Sequence, residues 1–125
     1  MRAVLAFVLI ATFATTSNAA APVTTVEMSN FKFAPTNVQL QAGVPVVLHL
    51  SNLSGGGHSF SAPEFFAAAR LEPQASALVH SGKVEVPAHS AIDLTLVPAQ
   101  GDYPLKCTHT LHSSFGMKGA IVVRP

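Results

Sequence analysis

The chain has 125 residues but only one cysteine, and it contains no internal repeat, no run of like charge and no low-complexity segment. A single cysteine excludes an internal disulfide, and with it the stapled architecture of small secreted domains. Charge is sparse and balanced, with seven Lys plus Arg against six Asp plus Glu, and the two signs are equal once Arg2 is set aside. That balance argues against nucleic acid or an anionic membrane as partner, because both require clustered basic side chains. The longest apolar stretch, AVLAFVLIATFA from Ala3 to Ala14, falls short of the ~20 residues that span a bilayer.

That stretch has another reading. Arg2 precedes it, and small residues follow it, with Ser17 and Ala19 placed as the minus-three and minus-one positions of a signal-peptidase site. Residues 1–19 therefore read as a cleaved signal peptide and residues 20–125 as one exported, periplasmic domain. No cysteine stands at the cleavage site to carry a lipid, so no membrane insertion is expected after cleavage. A domain of this length is long enough for a hydrophobic core.

Beyond the leader, short alternating runs are separated by Gly, Pro, Asn and Ser. PVVLHLS places Val46, Leu48 and Leu50 on one face and Val47 and His49 on the other. SAIDLTLV does the same with Ile92, Leu94 and Leu96 against Asp93 and Thr95, and in DYPLKC the inward face holds Tyr103, Leu105 and Cys107. With VTTVEM, FKF, NVQLQ and GAIVVR, the pattern predicts an all-β, Greek-key β-sandwich of seven to eight strands. One short helix is expected in SAPEFFAAAR. There Ser61 and Glu64 have capping-box spacing, and Phe65, Phe66 and Ala69 form the covered face. Met28, Phe31, Phe33, Phe60 and Tyr103 are expected in the core, and His49, His80 and His89 at the surface.

The lone cysteine lies in CTHTLHSSFGMKG, with His109, His112 and Met117 in the same short stretch. A lone thiol outside the cell is exposed to oxidation unless it is buried or ligated. Thiolate and thioether are soft donors and imidazole is intermediate, a set that suits copper cycling between Cu(I) and Cu(II). Zinc normally takes four strong ligands and gains nothing from methionine. Two imidazoles and one thiolate make the trigonal set, so a further histidine must come from elsewhere in the chain.

The run GDYPLKCTHTLHSSFGMKGAIVV resembles the C-terminal copper loop of the cupredoxins, the blue copper proteins such as plastocyanin, pseudoazurin, azurin and auracyanin. Upstream, SNLSGGGHSF is similar to that family's other ligand segment, in which a strand ends in Asn and a loop delivers the first histidine. The resemblance implies a cupredoxin-like sandwich holding one copper ion. His58 would be the upstream nitrogen ligand, Cys107 the thiolate and Met117 the axial thioether. The second nitrogen is His109 or His112. One intervening residue keeps the strand extended and leaves the side chains ~6–7 Å apart, whereas four residues permit a turn back over the metal, which favours His112. Ser59 stands where many relatives carry an asparagine that bonds to the residue after the cysteine, and it is expected to reach Thr108.

Plainer readings exist for the same residues. Cys107 could be a buried structural thiol or form an intermolecular disulfide, His58 a loop histidine and Met117 core filler. The expected function is a soluble, monomeric one-electron carrier that meets redox partner proteins by transient contact. By analogy with the family, electrons would leave through the ring edge of His112, ringed by Leu111 and Phe115. The alternative is a periplasmic copper-handling protein that stores or delivers the ion, although only Met28 and Met117 follow the leader. An enzyme is not expected, because copper nitrite or oxygen reduction needs a second copper centre built from further histidines.

Overall fold

A computed structural model of the protein describes residues 9–12, 20–109 and 116–125. Among them, ten strands and two helices follow one another. They begin with β1 (Val23–Ser29), β2 (Lys32–Ala34), β3 (Asn37–Gln41), β4 (Val46–Asn52), β5 (His58–Ser61) and α1 (Pro63–Ala68). The second half comprises β6 (Arg70–Leu71), α2 (Pro73–Leu78), β7 (Lys83–Val86), β8 (Ala91–Val97), β9 (Gly101–Lys106) and β10 (Lys118–Arg124). The two-residue period that marks a strand with one buried face is plain in β4. Val46, Leu48, Leu50 and Asn52 are buried there, and the residues between them are only partly so.

The strands form two five-stranded sheets, ordered β2-β1-β4-β8-β6 and β3-β10-β9-β5-β7. β1 runs parallel to β4 and β3 parallel to β10, while the other pairings are antiparallel. Val26, Met28, Leu48, Leu50, Leu94 and Leu96 of the first sheet and Phe60, Leu105 and Ile121 of the second are all inaccessible or nearly so, and they make the shared core. Phe33 packs edge-on against Phe60, with ring centroids 6.1 Å apart. At Gly119 a Cβ would strike the Thr36 carbonyl, so only glycine lets β10 run this close to the chain entering β3.

The expected sandwich is present, with more pieces than the periodicity indicated. The additional strands are β5, β6 and β7; β2, which falls on the expected FKF run, and β6 are three and two residues long and close the edges of the first sheet. Such short edges offer little to a foreign strand. The second helix, α2, buries only Ala75 and carries no apolar stripe that would have announced it.

Two local expectations are corrected. Phe31 is not core. It occupies the two-residue turn between Ser29 and Lys32, at φ 60°, and is 42% exposed. The capping box does not form, because Ser61 is a buried β5 residue paired with Lys83 and Lys106. Ala62 stands at the N-cap of α1 and supplies no side-chain bond. The helix face itself is as expected, with Phe65 and Phe66 buried and Ala69 partly so against the core.

Candidate metal centre

Strand order brings the two motif-bearing segments together. β5 lies between β7 and β9, and Ser61 pairs with Lys106 in the antiparallel β5–β9 contact. Continuing that register past the strand end sets Ser59 opposite Thr108 and His58 opposite His109. Side-chain contacts follow suit: Ser59 Oγ and Thr108 Oγ1 are 2.8 Å apart, and the His58 and His109 ring centroids 6.3 Å apart.

The loop that delivers His58 is pinned from beneath by Asn52, which is 1% exposed. Its Nδ2 group donates to the carbonyls of Gly56 at 2.8 Å, Val86 at 3.0 Å and Pro87 at 3.1 Å, while its Oδ1 accepts from Ser54 N at 3.0 Å. One buried amide thus ties the end of β4 to both sides of the glycine-rich turn. The sequence signal was an Asn at a strand end, but its partners could not be read from it.

On the other side, Cys107 directly follows β9, and its backbone N–H donates to the Met117 carbonyl at 3.1 Å. This bond closes the loop 108–116 at its base and sets the expected thiolate and thioether residues next to each other. Both are fully buried. His58 is 2% exposed, and its Nδ1 stands 3.9 Å from Cys107 Sγ. Ser59 N donates to the same sulfur at 3.4 Å. Donors bound at about 2.0 and 2.3 Å to one first-row ion stand this far apart when they subtend roughly 130°. The pair is therefore spaced for a shared metal, with a buried backbone donor to support a thiolate.

The cupredoxin-like domain model matches residues 2–123, nearly the whole chain. The chain belongs to the cupredoxin-like family. Auracyanin B, crystallised in space group P65, aligns with it at 24% identity over 88% of this chain and 94% of its own, with a TM-score of 0.63. Dithionite-reduced auracyanin from the photosynthetic bacterium Roseiflexus castenholzii aligns at 16% identity over 86% and 100% of the two chains, again at 0.63. A multicopper oxidase from Campylobacter jejuni, described as a metallo-oxidase, aligns at 12% identity and 0.63 over 91% of this chain but only 32% of its own. At these identities the likeness is one of fold. No curated protein matches the chain.

Membership in the cupredoxin-like family implies copper, and the donors at hand fit it. Of the four expected ligands, the structure brings His58 and Cys107 together and places Met117 beside Cys107 through the backbone bond. His112 lies outside the described residues, as do Leu111 and Phe115. No group of three or more His, Cys, Asp or Glu side chains converges among the described residues. His109, the other candidate nitrogen, is partly exposed, and its Nε2 stands 2.7 Å from Glu85 Oε2. His80 and His89 are exposed, and His49 faces outward, where it meets Asp93 across the β4–β8 ladder at 2.5 Å.

Ser59 reaches Thr108 by two bonds, a hydroxyl contact at 2.8 Å and Thr108 N–H donating to Ser59 Oγ at 2.7 Å. Its short side chain therefore bridges the two ligand segments. Lys83 and Glu85 also border the site, and neither was indicated by any sequence motif.

Proposed function

We propose that the protein is an exported one-electron carrier holding one copper ion at a mononuclear site made by His58, Cys107, His112 and Met117. A bound copper ion supplies a one-electron couple between Cu(I) and Cu(II). The observation that carries the reading is the buried His58 Nδ1–Cys107 Sγ pair at 3.9 Å, backed by the Cys107–Met117 backbone bond.

The chain's own residues serve this role by holding still. Asn52 fixes the loop before His58, and Ser59 and Thr108 lock that segment to the one after Cys107. Donors held in one arrangement for both oxidation states leave little to reorganise when an electron moves. The Ser59 N–H directed at Cys107 Sγ stabilises negative charge on the sulfur. Residues 1–19 are proposed to direct the chain to the periplasm, where it meets redox partner proteins briefly as a monomer. The ring edge of His112, with Leu111 and Phe115 about it, is the proposed electron exit. Contacts of that kind are small, typically below ~1,200 Å² in total.

The experiment is a Cu(II) titration followed in the visible range, with bound metal and electron exchange measured together. An intense thiolate–copper band that bleaches reversibly on one-electron reduction is expected. A colourless adduct, or metal passing to a partner while no electrons do, overturns the carrier reading in favour of copper handling.

A further inference from the structure

Beside the donor pair, on the edge of the second sheet, three polar side chains make a continuous hydrogen-bonded path from the solvent to the sulfur. Lys83 Nζ donates to Thr108 Oγ1 at 3.3 Å, and Thr108 Oγ1 meets Ser59 Oγ at 2.8 Å. Thr108 N–H donates to Ser59 Oγ at 2.7 Å, and Ser59 Oγ lies 3.7 Å from Cys107 Sγ. Cross-strand register creates this alignment, because Ser59 pairs with Glu85 on one side and stands opposite Thr108 on the other. Lys83 is one period along the same strand face, and its backbone is fixed by reciprocal bonds with His80 at 2.9 and 3.1 Å.

The ends of this path bias its direction. An ammonium group only donates, so Thr108 Oγ1 accepts from Lys83; its second lone pair could also take the Ser59 hydrogen, but the positive charge favours the arrangement in which the Thr108 hydrogen points away from Lys83 toward Ser59. Ser59 Oγ then receives both the hydroxyl and the backbone N–H of Thr108, which occupy its two lone pairs. Its one hydrogen is left to point at Cys107 Sγ. Without Lys83 that bias is gone, and the reversed Ser59–Thr108 bond gains population. Ser59 would then donate to Thr108, and the sulfur would lose its hydroxyl donor while keeping the Ser59 backbone N–H.

We propose that Lys83 is a positioning residue for the metal site, which orients the Ser59 hydroxyl toward Cys107 through Thr108 and thereby raises the reduction potential. The proposal rests on the reading of Cys107 as a copper ligand. A hydrogen bond to the thiolate draws charge from the sulfur and disfavours the more positive metal state, so the reduced state gains. The through-space field of the ammonium has the same sign. It is weakened by solvent, since the side chain is 37% exposed, and by Glu85 Oε1 at 3.7 Å. The orientation effect reaches the sulfur through the buried Ser59 hydroxyl and is less sensitive to salt than the field of the ammonium.

The test uses the full protein loaded with copper, its reduction potential, and the position of the thiolate–copper band. Lys83→Met is expected to shift the Cu(I)-to-Cu(II) affinity ratio threefold to tenfold toward Cu(II). That lowers the potential by about 30–60 mV, tenfold being 59 mV for one electron. The band should move to longer wavelength, and Lys83→Arg should restore both values. In a Ser59→Ala background, which has no hydroxyl to orient, Lys83→Met should change the potential by less than half as much. An equal shift in both backgrounds that fades with added salt would mean a surface charge and no relay, and would overturn the proposal. So would an unmoved potential in Lys83→Met with a normal band, which leaves the copper site itself standing. Absence of the band in the unmodified protein overturns the site reading and this proposal together.

Discussion

Replacing Asn52 by alanine should weaken the protein more than any other single polar change near the site. The side chain is 1% exposed and bonds to Ser54 and Gly56 of the loop it supports and to Val86 and Pro87 at the end of β7. Two of those partners are buried, the Val86 carbonyl and the Ser54 N–H, whereas the carbonyls of Gly56 and Pro87 belong to exposed residues that water can reach. Each buried group left unsatisfied costs about 1–3 kcal/mol, with the carbonyl at the lower end because its second lone pair is independent. The expected loss is therefore about 2–4 kcal/mol, a large part of the ~5–15 kcal/mol that holds such a domain folded. At ~4–8 °C per kcal/mol the melting temperature should fall by roughly 8–32 °C. Urea unfolding of the metal-free protein measures this directly. Asn52→Asp is the informative companion, since it keeps the acceptor for Ser54 but loses the donors to three carbonyls, and it should be at least as damaging. A loss below about 1 kcal/mol for Asn52→Ala would show that the loop before His58 stands without its amide pin.

The remaining expectations are more local. His112→Ala should abolish or grossly alter the thiolate–copper band while His109→Ala leaves it nearly intact, and the reverse pattern would move the nitrogen ligand to His109. Met117→Leu should keep the band and raise the reduction potential, because losing an axial donor disfavours Cu(II) more than Cu(I); an unchanged potential would make Met117 packing alone. Gly82→Ala should destabilise by about 2 kcal/mol or more in thermal unfolding, since Gly82 has φ 72° and an added Cβ would meet Pro63 at 2.6 Å. A neutral Gly82→Ala would mean that the turn before Lys83 shifts at little cost.

The sandwich was legible because its central strands repeat every two residues without interruption. β4 buries the residues that its alternation marks, β8 buries Leu94 and Leu96 and half-buries Ile92, and the chain from β9 leads Leu105 and Cys107 inward in the same rhythm. What the alternation misjudged were the places where another force chose the conformation. Phe31 fits the apolar pattern of FKF, yet the β1–β2 pairing needs a two-residue turn there and leaves its ring outside. Ser61 has the spacing of a cap, yet its backbone is committed to two strand neighbours before the helix begins. Tertiary pairing overrode the local signal in both cases.

The proposed metal donors were named from sequence for a different reason: soft ligand types crowd into one short segment, and chemistry narrows what they could hold. Their supports could not be picked that way. Thr108 and the strand-ending Asn52 enter only through the resemblance, whereas Lys83 and Glu85 are ordinary surface-type residues in sequence, and each matters through a neighbour that is distant along the chain. A one-residue slip in the β5–β9 register would turn Ser59 away from Thr108 and from the sulfur, while leaving the cysteine, histidine and methionine just as recognisable. Hydrophobic alternation specifies which face of each strand is buried, and with it the parity of the register, but not which polar side chains meet across the outer face. Ligand identity is thus a property of the sequence, whereas the hydrogen-bond direction at the sulfur is a property of the assembled sheet. On the proposed relay, the potential of this protein is tuned by Lys83, a residue that no ligand motif contains.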